Sequence, residues 1–202
     1  MTRRWLGRIV LAAGVAAALS GQAYAQTPST SAPTSGPWLV VGGGSTSLLS
    51  DCTDCENENY VHTGSLLVDF GRAASPRFDY GVEFLWVPSK SSSGDYVRTA
   101  FVTGVVQFRP WKSKGFFIRG STGMAFVRNW IITPTITTAD ARSKAFALGL
   151  TAGWEWRASR HWGAQAYGAQ HVAALGDLST TFGTIQNVVG NFWTVGGAIV
   201  IR

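Results

Sequence analysis

The sequence has few cysteines and few charges, and it lacks a hydrophobic run that could cross a membrane as a helix. Only two of its 202 residues are cysteine, so at most one intramolecular disulfide can form, and 14% of residues are charged. Beyond residue 25, no uninterrupted apolar run approaches the roughly 20 residues that a spanning helix needs. Lysine and arginine form no runs, and no aromatic RNA-reading motif occurs. These absences exclude helical membrane spans and a nucleic-acid partner.

The first 25 residues predict a cleaved signal peptide. A basic start with Arg3, Arg4 and Arg8 precedes residues 9–19, which carry no charge, and small residues follow at the expected cleavage site after Ala25. A membrane anchor is the alternative, but this uncharged core of 11 residues is too short for one. With the segment removed, 14 basic and 11 acidic residues remain, and the formal charge falls from +6 to +3.

Alternation with a period of two residues is the main structural signal in the exported chain. In residues 78–86, Phe78, Phe84 and Trp86 fall on one face of a strand, whereas Asp79 and Glu83 fall on the other. Seven further strands are predicted, of which residues 162–173 show the weakest contrast, because both faces there carry alanine and glycine. Together the predicted strands cover residues 38–49, 60–71, 78–86, 96–108, 116–127, 144–157, 162–173 and 191–201.

The connections between these strands alternate in length. Those after the second, fourth and sixth strands are short, whereas residues 50–59, 88–95, 128–143 and 175–189 form longer polar loops. An even number of strands places both termini on one side, and this asymmetry is expected when short turns face the periplasm and loops face outward. We therefore predict an all-β, eight-stranded, antiparallel up-and-down transmembrane barrel over residues 37–202, after a polar leader at residues 26–36.

Aromatic residues on the apolar faces provide an independent test of this prediction. In a membrane barrel they collect near the two lipid boundaries. The group flanking the short turns is the predicted periplasmic girdle: Phe70, Phe78, Phe108, Phe116, Trp156 and Trp162. The group flanking the loops is the predicted outer girdle: Tyr60, Trp86, Phe126, Phe146 and Trp193. A lipocalin-like soluble barrel, the structural alternative, would point its large residues inward.

Three features carry a resemblance to a known family. The first is Asp-Cys-Thr-Asp-Cys at residues 51–55, which follows a glycine-rich first strand. The second is Gly-Phe-Phe-Ile-Arg-Gly at residues 115–120, which opens a middle strand. The third is the pattern of the two aromatic girdles. The chain resembles the small eight-stranded outer-membrane barrels of Gram-negative bacteria, the OmpA/OmpW-like group. The resemblance implies an integral outer-membrane location, with outer-membrane lipid, lipopolysaccharide and the barrel-assembly machinery as partners. It specifies an architecture and no activity.

Charged residues on the inward faces predict a polar network in the lumen. An eight-stranded barrel is just wide enough for side chains to fill. The predicted network comprises Asp69, Asp79, Glu83, Arg119, Glu155 and Arg157. Glu83, Arg119 and Glu155 lie at mid-strand and are expected to form its centre. We expect these charges to pair and plug the lumen; a narrow polar pore, or an OmpW-like passage for small or apolar solutes, is the alternative.

Cys52 and Cys55 share the first predicted loop, and a disulfide between them is the favoured interpretation in an exported chain. Their neighbours are acidic, which argues against a redox pair because a low thiol pKa needs an electropositive setting. Zinc is a weaker alternative, since no histidine is adjacent and four protein ligands are not evident. The sequence thus predicts no metal or other cofactor.

The candidate catalytic bases are His62, His161 and His171. Some small barrels modify lipid A, but neither His62 nor His171 has a serine two residues on, and no nucleophile, base and orienting acid can be assembled. The sequence therefore predicts a structural or surface-interaction barrel and not an enzyme, with its surface ligand unspecified.

Overall fold

The chain folds into a closed antiparallel β-barrel. A computed structural model describes residues 36–51, 60–90, 96–111, 115–133, 136–159, 161–180 and 183–202. Within these ranges, no helix is long and apolar enough to span a bilayer. The strands are β1 (Gly36–Asp51), β2 (Tyr60–Ala73), β3 (Phe78–Lys90), β4 (Tyr96–Phe108), β5 (Phe116–Thr133), β6 (Ile136–Arg157), β7 (Trp162–Thr180) and β8 (Gly183–Ile201).

Each strand pairs with the next along the chain, and β8 returns to pair with β1. The predicted eight-stranded, up-and-down antiparallel barrel is therefore confirmed. The short turns are held by backbone hydrogen bonds, such as those from the amides of Ala74 and Ser75 to the carbonyl of Phe78. Closure leaves no unpaired sheet edge, which is the condition for a β-structure to exist inside lipid.

The prediction of two long loops is wrong. Most of residues 128–143 belongs to β5 and β6, which pair as far as Thr133 with Ile136. Most of residues 175–189 belongs to β7 and β8, which pair as far as Thr180 with Gly183. The second predicted loop also begins late, because β3 continues to Lys90. Three hairpins therefore extend well beyond the apolar part of their strands.

The two faces of the wall have opposite chemistry. Outward-facing apolar side chains stay exposed, including Leu148 at 54% and Val195 at 68%, whereas Glu83 is only 1% exposed. Phe84 and Trp154, which a soluble carrier would bury, also face outward and are exposed. The lipocalin-like alternative is therefore wrong, because the wall is apolar on its outside.

Side chains fill the interior. Apolar residues are buried there, among them Phe101, Phe117 and Phe192. The Phe101 ring meets the Phe192 ring edge-on at a centroid distance of 4.9 Å. Glycines on the inner wall make room for the largest of these side chains. A Cβ atom on Gly71 would collide with the carbonyl oxygen of Tyr80 and lie 2.7 Å from Cζ2 of Trp38, so both the neighbouring strand and the indole ring need a bare backbone here.

Gly71→Val is accordingly expected to lower the free energy of unfolding by about 1–3 kcal/mol, because its side chain would press on the carbonyl group of Tyr80 and overpack the lumen against Trp38. The matched control is Gly120→Val, since a Cβ atom on the outward-facing Gly120 would meet no heavy atom within 4 Å. Urea unfolding in detergent micelles measures both. Equal stability of the two variants would contradict the close packing at Gly71.

The seam that closes the barrel, between β1 and β8, is rich in glycine. Gly43 and Gly44 pair with Gly197 and Gly196, and few side chains meet there. Two rows beyond Gly44, Thr46 and Thr194 share a buried hydrogen bond of 2.8 Å between their hydroxyl groups. Backbone hydrogen bonds and this hydroxyl pair therefore hold much of the seam together.

Candidate functional site

A buried cluster around Arg119 occupies the middle of the lumen. Cross-strand pairing creates it, because Asp69 lies opposite Glu83 and Gln107 lies opposite Arg119. Arg119 forms an ion pair with Asp69, and its Nη1 lies 3.4 Å from Oε2 of Glu83. Its Nε and Nη2 both donate to Oε1 of Gln107, at 3.2 and 2.9 Å. The planar guanidinium thus ties β5 to three other strands across the lumen.

Glu83 extends the cluster to β7 and adds a second residue of β4. Its Oε1 lies 2.9 Å from Nε2 of His171 and accepts a hydrogen bond of 3.2 Å from the Thr103 hydroxyl. The His171 ring stacks at a tilt on Phe101, with centroids 5.2 Å apart. We call these six residues the central cluster: Asp69, Glu83, Thr103, Gln107, Arg119 and His171. Apolar side chains border it, because Phe101 covers His171 and Phe117 lies under the guanidinium.

A small cavity lies beside the central cluster. Its wall includes Glu83, Arg119, His171, Tyr167 and Thr194. It has room for about one water molecule. Such a space is far too small for a solute, so side chains obstruct the lumen at this level.

A second cluster lies at the short-turn end of the lumen. Nη1 of Arg109 is 2.6 Å from Oδ2 of Asp79, and its Nη2 is 3.1 Å from Oε2 of Glu155. Nη2 of Arg202 is 3.1 Å from the same oxygen of Glu155 and 3.6 Å from Asp79. Nε of Arg157 approaches the other oxygen of Glu155 at 3.5 Å. We call these five residues the end cluster; it places a second set of ion pairs across the barrel.

The six residues of the predicted network therefore divide between two sites. Asp69, Glu83 and Arg119 lie in the central cluster, whereas the other three lie in the end cluster. The expectation that Glu155 joins Glu83 and Arg119 is wrong. The side chain of Arg157 is 37% exposed, so it lies at the rim of the lumen.

Sequence reasoning missed several members of both clusters. Arg109 and Gln107 have the inward parity of β4, a signal visible in the sequence, but parity alone does not show what they contact. His171 was considered only as a candidate catalytic base, and it is 1% exposed within the central cluster. Arg202 follows the last strand, and no pattern indicated that its side chain would reach Asp79 and Glu155.

The aromatic residues of the two girdles lie on the outer wall wherever their side chains are described. At the short-turn end, Phe78 and Phe108 stack at 4.9 Å on paired strands. The exposed members include Phe70, Trp156 and Trp162 in that girdle, and Phe126, Phe146 and Trp193 in the other. Phe108, Phe116 and Trp86 are half-buried. The side chain of Tyr60 lies outside the described residues.

Cys52 and Cys55 also lie outside the described residues, so their pairing stays a prediction. Among the residues that the structure describes, no group of three histidine, cysteine or acidic side chains could hold a metal ion.

His161 lies in an exposed turn. His62 faces outward, and its Nδ1 is 2.8 Å from the hydroxyl of Ser47 on the neighbouring strand.

Comparison with known proteins identifies the fold. No protein-family model and no curated protein sequence matches the chain. Among solved structures, Neisserial surface protein A aligns with a TM-score of 0.55 at 10% identity, covering 81% of this chain and 96% of that one. Ail, the attachment invasion locus protein of Yersinia pestis, aligns in complex with the heparin analogue sucrose octasulfate. That alignment has a TM-score of 0.51 at 11% identity and covers 82% of this chain and 99% of Ail.

Both alignments cover nearly the whole of the solved chain, and both solved structures are small eight-stranded outer-membrane barrels. The closed eight-stranded topology, the apolar outer wall and the side-chain-filled lumen agree with this likeness. The chain therefore has the fold of the small eight-stranded outer-membrane β-barrels.

Proposed function

We propose that this protein is an integral outer-membrane barrel with a plugged lumen, and that it acts as a structural or surface-interaction protein and not as a channel or an enzyme. Its short turns and both chain termini face the periplasm, and its long hairpins face outward. The observation that carries the proposal is the central cluster, which fills the lumen at mid-height with ion-paired side chains.

Burial makes this plug costly to open. Arg119, Asp69 and Glu83 are each at most 2% exposed, so separating them would leave charges without water or partners. Above them, Phe101 and Phe192 add an apolar layer, and near the short turns the end cluster forms another barrier. A conducting path would have to disrupt all three layers.

The extended hairpins support a role at the outer surface. β5 with β6 and β7 with β8 stay paired up to Thr133 and Thr180, far beyond the aromatic girdle at Phe126 and Trp193. Paired strands that project past the lipid boundary form a stiff platform on which loops can bind other molecules. The Ail structure holds a heparin analogue, which supports surface recognition as a use of this fold.

Single-channel recording in planar bilayers tests the plugged lumen. The wild-type barrel is expected to give no discrete openings, and Glu83→Gln is expected to stay silent because the apolar layer and the end cluster remain. An open porin in the same bilayer serves as the positive control. Discrete openings of the wild type, altered in size or frequency by Glu83→Gln, would overturn the proposal in favour of a narrow channel.

A further inference from the structure

Side-chain charge is distributed unevenly along the barrel axis. Residues 72–77, 109–115 and 157–161, which span the three short connections, contain seven lysines and arginines and no acid. Seven of the 11 acidic residues fall in the four predicted loops at the other end, and the remaining four are buried in the lumen. The short-turn end therefore carries a strong excess of positive charge.

Arginines surround the mouth of the lumen at this end. Arg77 lies in the turn between β2 and β3, and its carbonyl accepts a hydrogen bond of 2.8 Å from the amide of Arg109. On the opposite side of the barrel, the amide of Arg202 donates to the carbonyl of His161 at 2.8 Å, and Arg157 lies at the end of β6. We call Arg77, Arg157 and Arg202 the basic rim.

The acids at this level lie deeper than the basic rim. In the end cluster, three arginines share the carboxylates of Asp79 and Glu155, which are 2% and 5% exposed. By contrast, the side chains of Arg157 and Arg202 are 37% and 13% exposed, and Arg77 is exposed as well. The surface that faces water at this end is therefore positive, and it favours an anionic partner.

The position of the basic rim restricts that partner. Arg157 and Arg202 pair with acids inside the lumen, so they face the barrel axis. Arg72 differs, because it lies exposed on the outer wall and pairs with Tyr80. Headgroups of the surrounding lipid can contact Arg72, but they do not reach side chains that border the mouth. A partner of the basic rim must approach from the water, along the barrel axis.

We propose that the basic rim binds the peptidoglycan of the cell wall through the free carboxylates of its peptide stems. This inference rests on the proposed function, because only short turns that face the periplasm bring the basic rim to the cell wall. Arginine suits the role, since its planar fork matches the two oxygens of a carboxylate. A single exposed ion pair is weak, but many barrels in one membrane and a polymer with repeated carboxylates form many such pairs at once.

Cosedimentation with purified cell-wall sacculi tests this proposal, with the folded barrel in phosphatidylcholine vesicles. Wild-type vesicles are expected to sediment with native sacculi and to lose this binding when the carboxylates of the sacculi are amidated. Arg77→Gln/Arg157→Gln is expected to weaken the binding about tenfold, the factor for loss of two exposed ion pairs. Raising the salt concentration is expected to weaken it too, because exposed charges are screened.

Arg98→Gln/Lys144→Gln is the matched control, because it removes two exposed charges at the loop-side end and is expected to leave the binding unchanged. Both double variants are expected to fold, since Arg157→Gln leaves Glu155 paired with Arg109 and Arg202. Gel mobility of unheated samples checks that both have folded before they are compared.

Absence of wild-type binding, equal loss in the two double variants, or equal binding of native and amidated sacculi would each overturn the proposal. Displacement of the sacculi by poly-glutamate at a lower concentration of carboxylates would overturn it in favour of an acidic protein segment. Protease added to intact cells tests the orientation separately. Cleavage in the short turns would overturn the proposed function, but it would leave the binding to isolated sacculi unchanged.

Discussion

Replacing Arg119 with methionine is expected to lower the free energy of unfolding by about 3–5 kcal/mol, the usual cost of removing one partner of a buried ion pair. The side chain is 2% exposed, and it is the cation that contacts both Asp69 and Glu83. Methionine would leave these two carboxylates facing each other without the guanidinium between them. It would also leave Oε1 of Gln107 without its two donors.

Urea unfolding of the barrel in detergent micelles, followed by tryptophan fluorescence, measures this loss. Arg77→Met removes an exposed turn arginine and is expected to change stability by no more than about 0.5 kcal/mol. The triple variant Asp69→Asn/Glu83→Gln/Arg119→Met is expected to recover part of the loss, since it removes the uncompensated charges as well. If Arg119→Met and Arg77→Met unfold at the same urea concentration, the central cluster contributes nothing to stability.

Placing a charge on the outer wall is expected to have the next largest effect. Leu150→Arg should cost about 2–4 kcal/mol in a lipid bilayer, because this side chain faces outward near mid-membrane and is 60% exposed. Ile201→Arg should cost about 0–1 kcal/mol, because Ile201 pairs with Trp162 at the short-turn boundary, where an arginine reaches the headgroups. Both changes replace an exposed aliphatic residue with the same cation, so only their depth differs.

Equilibrium folding into phospholipid vesicles, with gel mobility of unheated samples as the readout, compares the two variants. A cost that depends on depth would support insertion of the apolar wall into lipid. Equal and small costs for Leu150→Arg and Ile201→Arg would mean that the wall faces water, and the membrane assignment would then fail.

Much of the architecture could be predicted because one face of each strand had to be apolar. The alternation in residues 78–86 identified the outward side chains of β3, and the bounds of β4 were predicted as the structure has them. This works because a period of two is a local property, and the chemistry of lipid and lumen differs strongly enough to be visible in single residues.

Strand length was predicted less well for a physical reason. Beyond the girdle, a hairpin is surrounded by water on both sides, so its residues no longer need to alternate between apolar and polar. Residues 136–143 are Ile-Thr-Thr-Ala-Asp-Ala-Arg-Ser, which read as a loop although they pair with β5. Backbone hydrogen bonds continue where the hydrophobic pattern ends.

Contacts across the lumen were the hardest to predict. Parity places Glu83 and Glu155 on the same inner face, but they lie on β3 and β6, which are not neighbours. Which inward residues share a level depends on the stagger between strands around the barrel, and a sequence does not display that stagger. This is why Glu155 was grouped with Arg119, and why the contact between His171 and Glu83 was missed.

The glycine-rich seam affects which register β1 and β8 adopt when the barrel closes. A glycine-rich stretch of strand can slip along its partner with little loss of packing. A slip of two residues would move Thr194 opposite Gly44 or Leu48, and two buried hydroxyl groups would lose their partner at about 1–3 kcal/mol each. The hydrogen bond between Thr46 and Thr194 therefore favours one register of β1 and β8 over others that the backbone alone would tolerate.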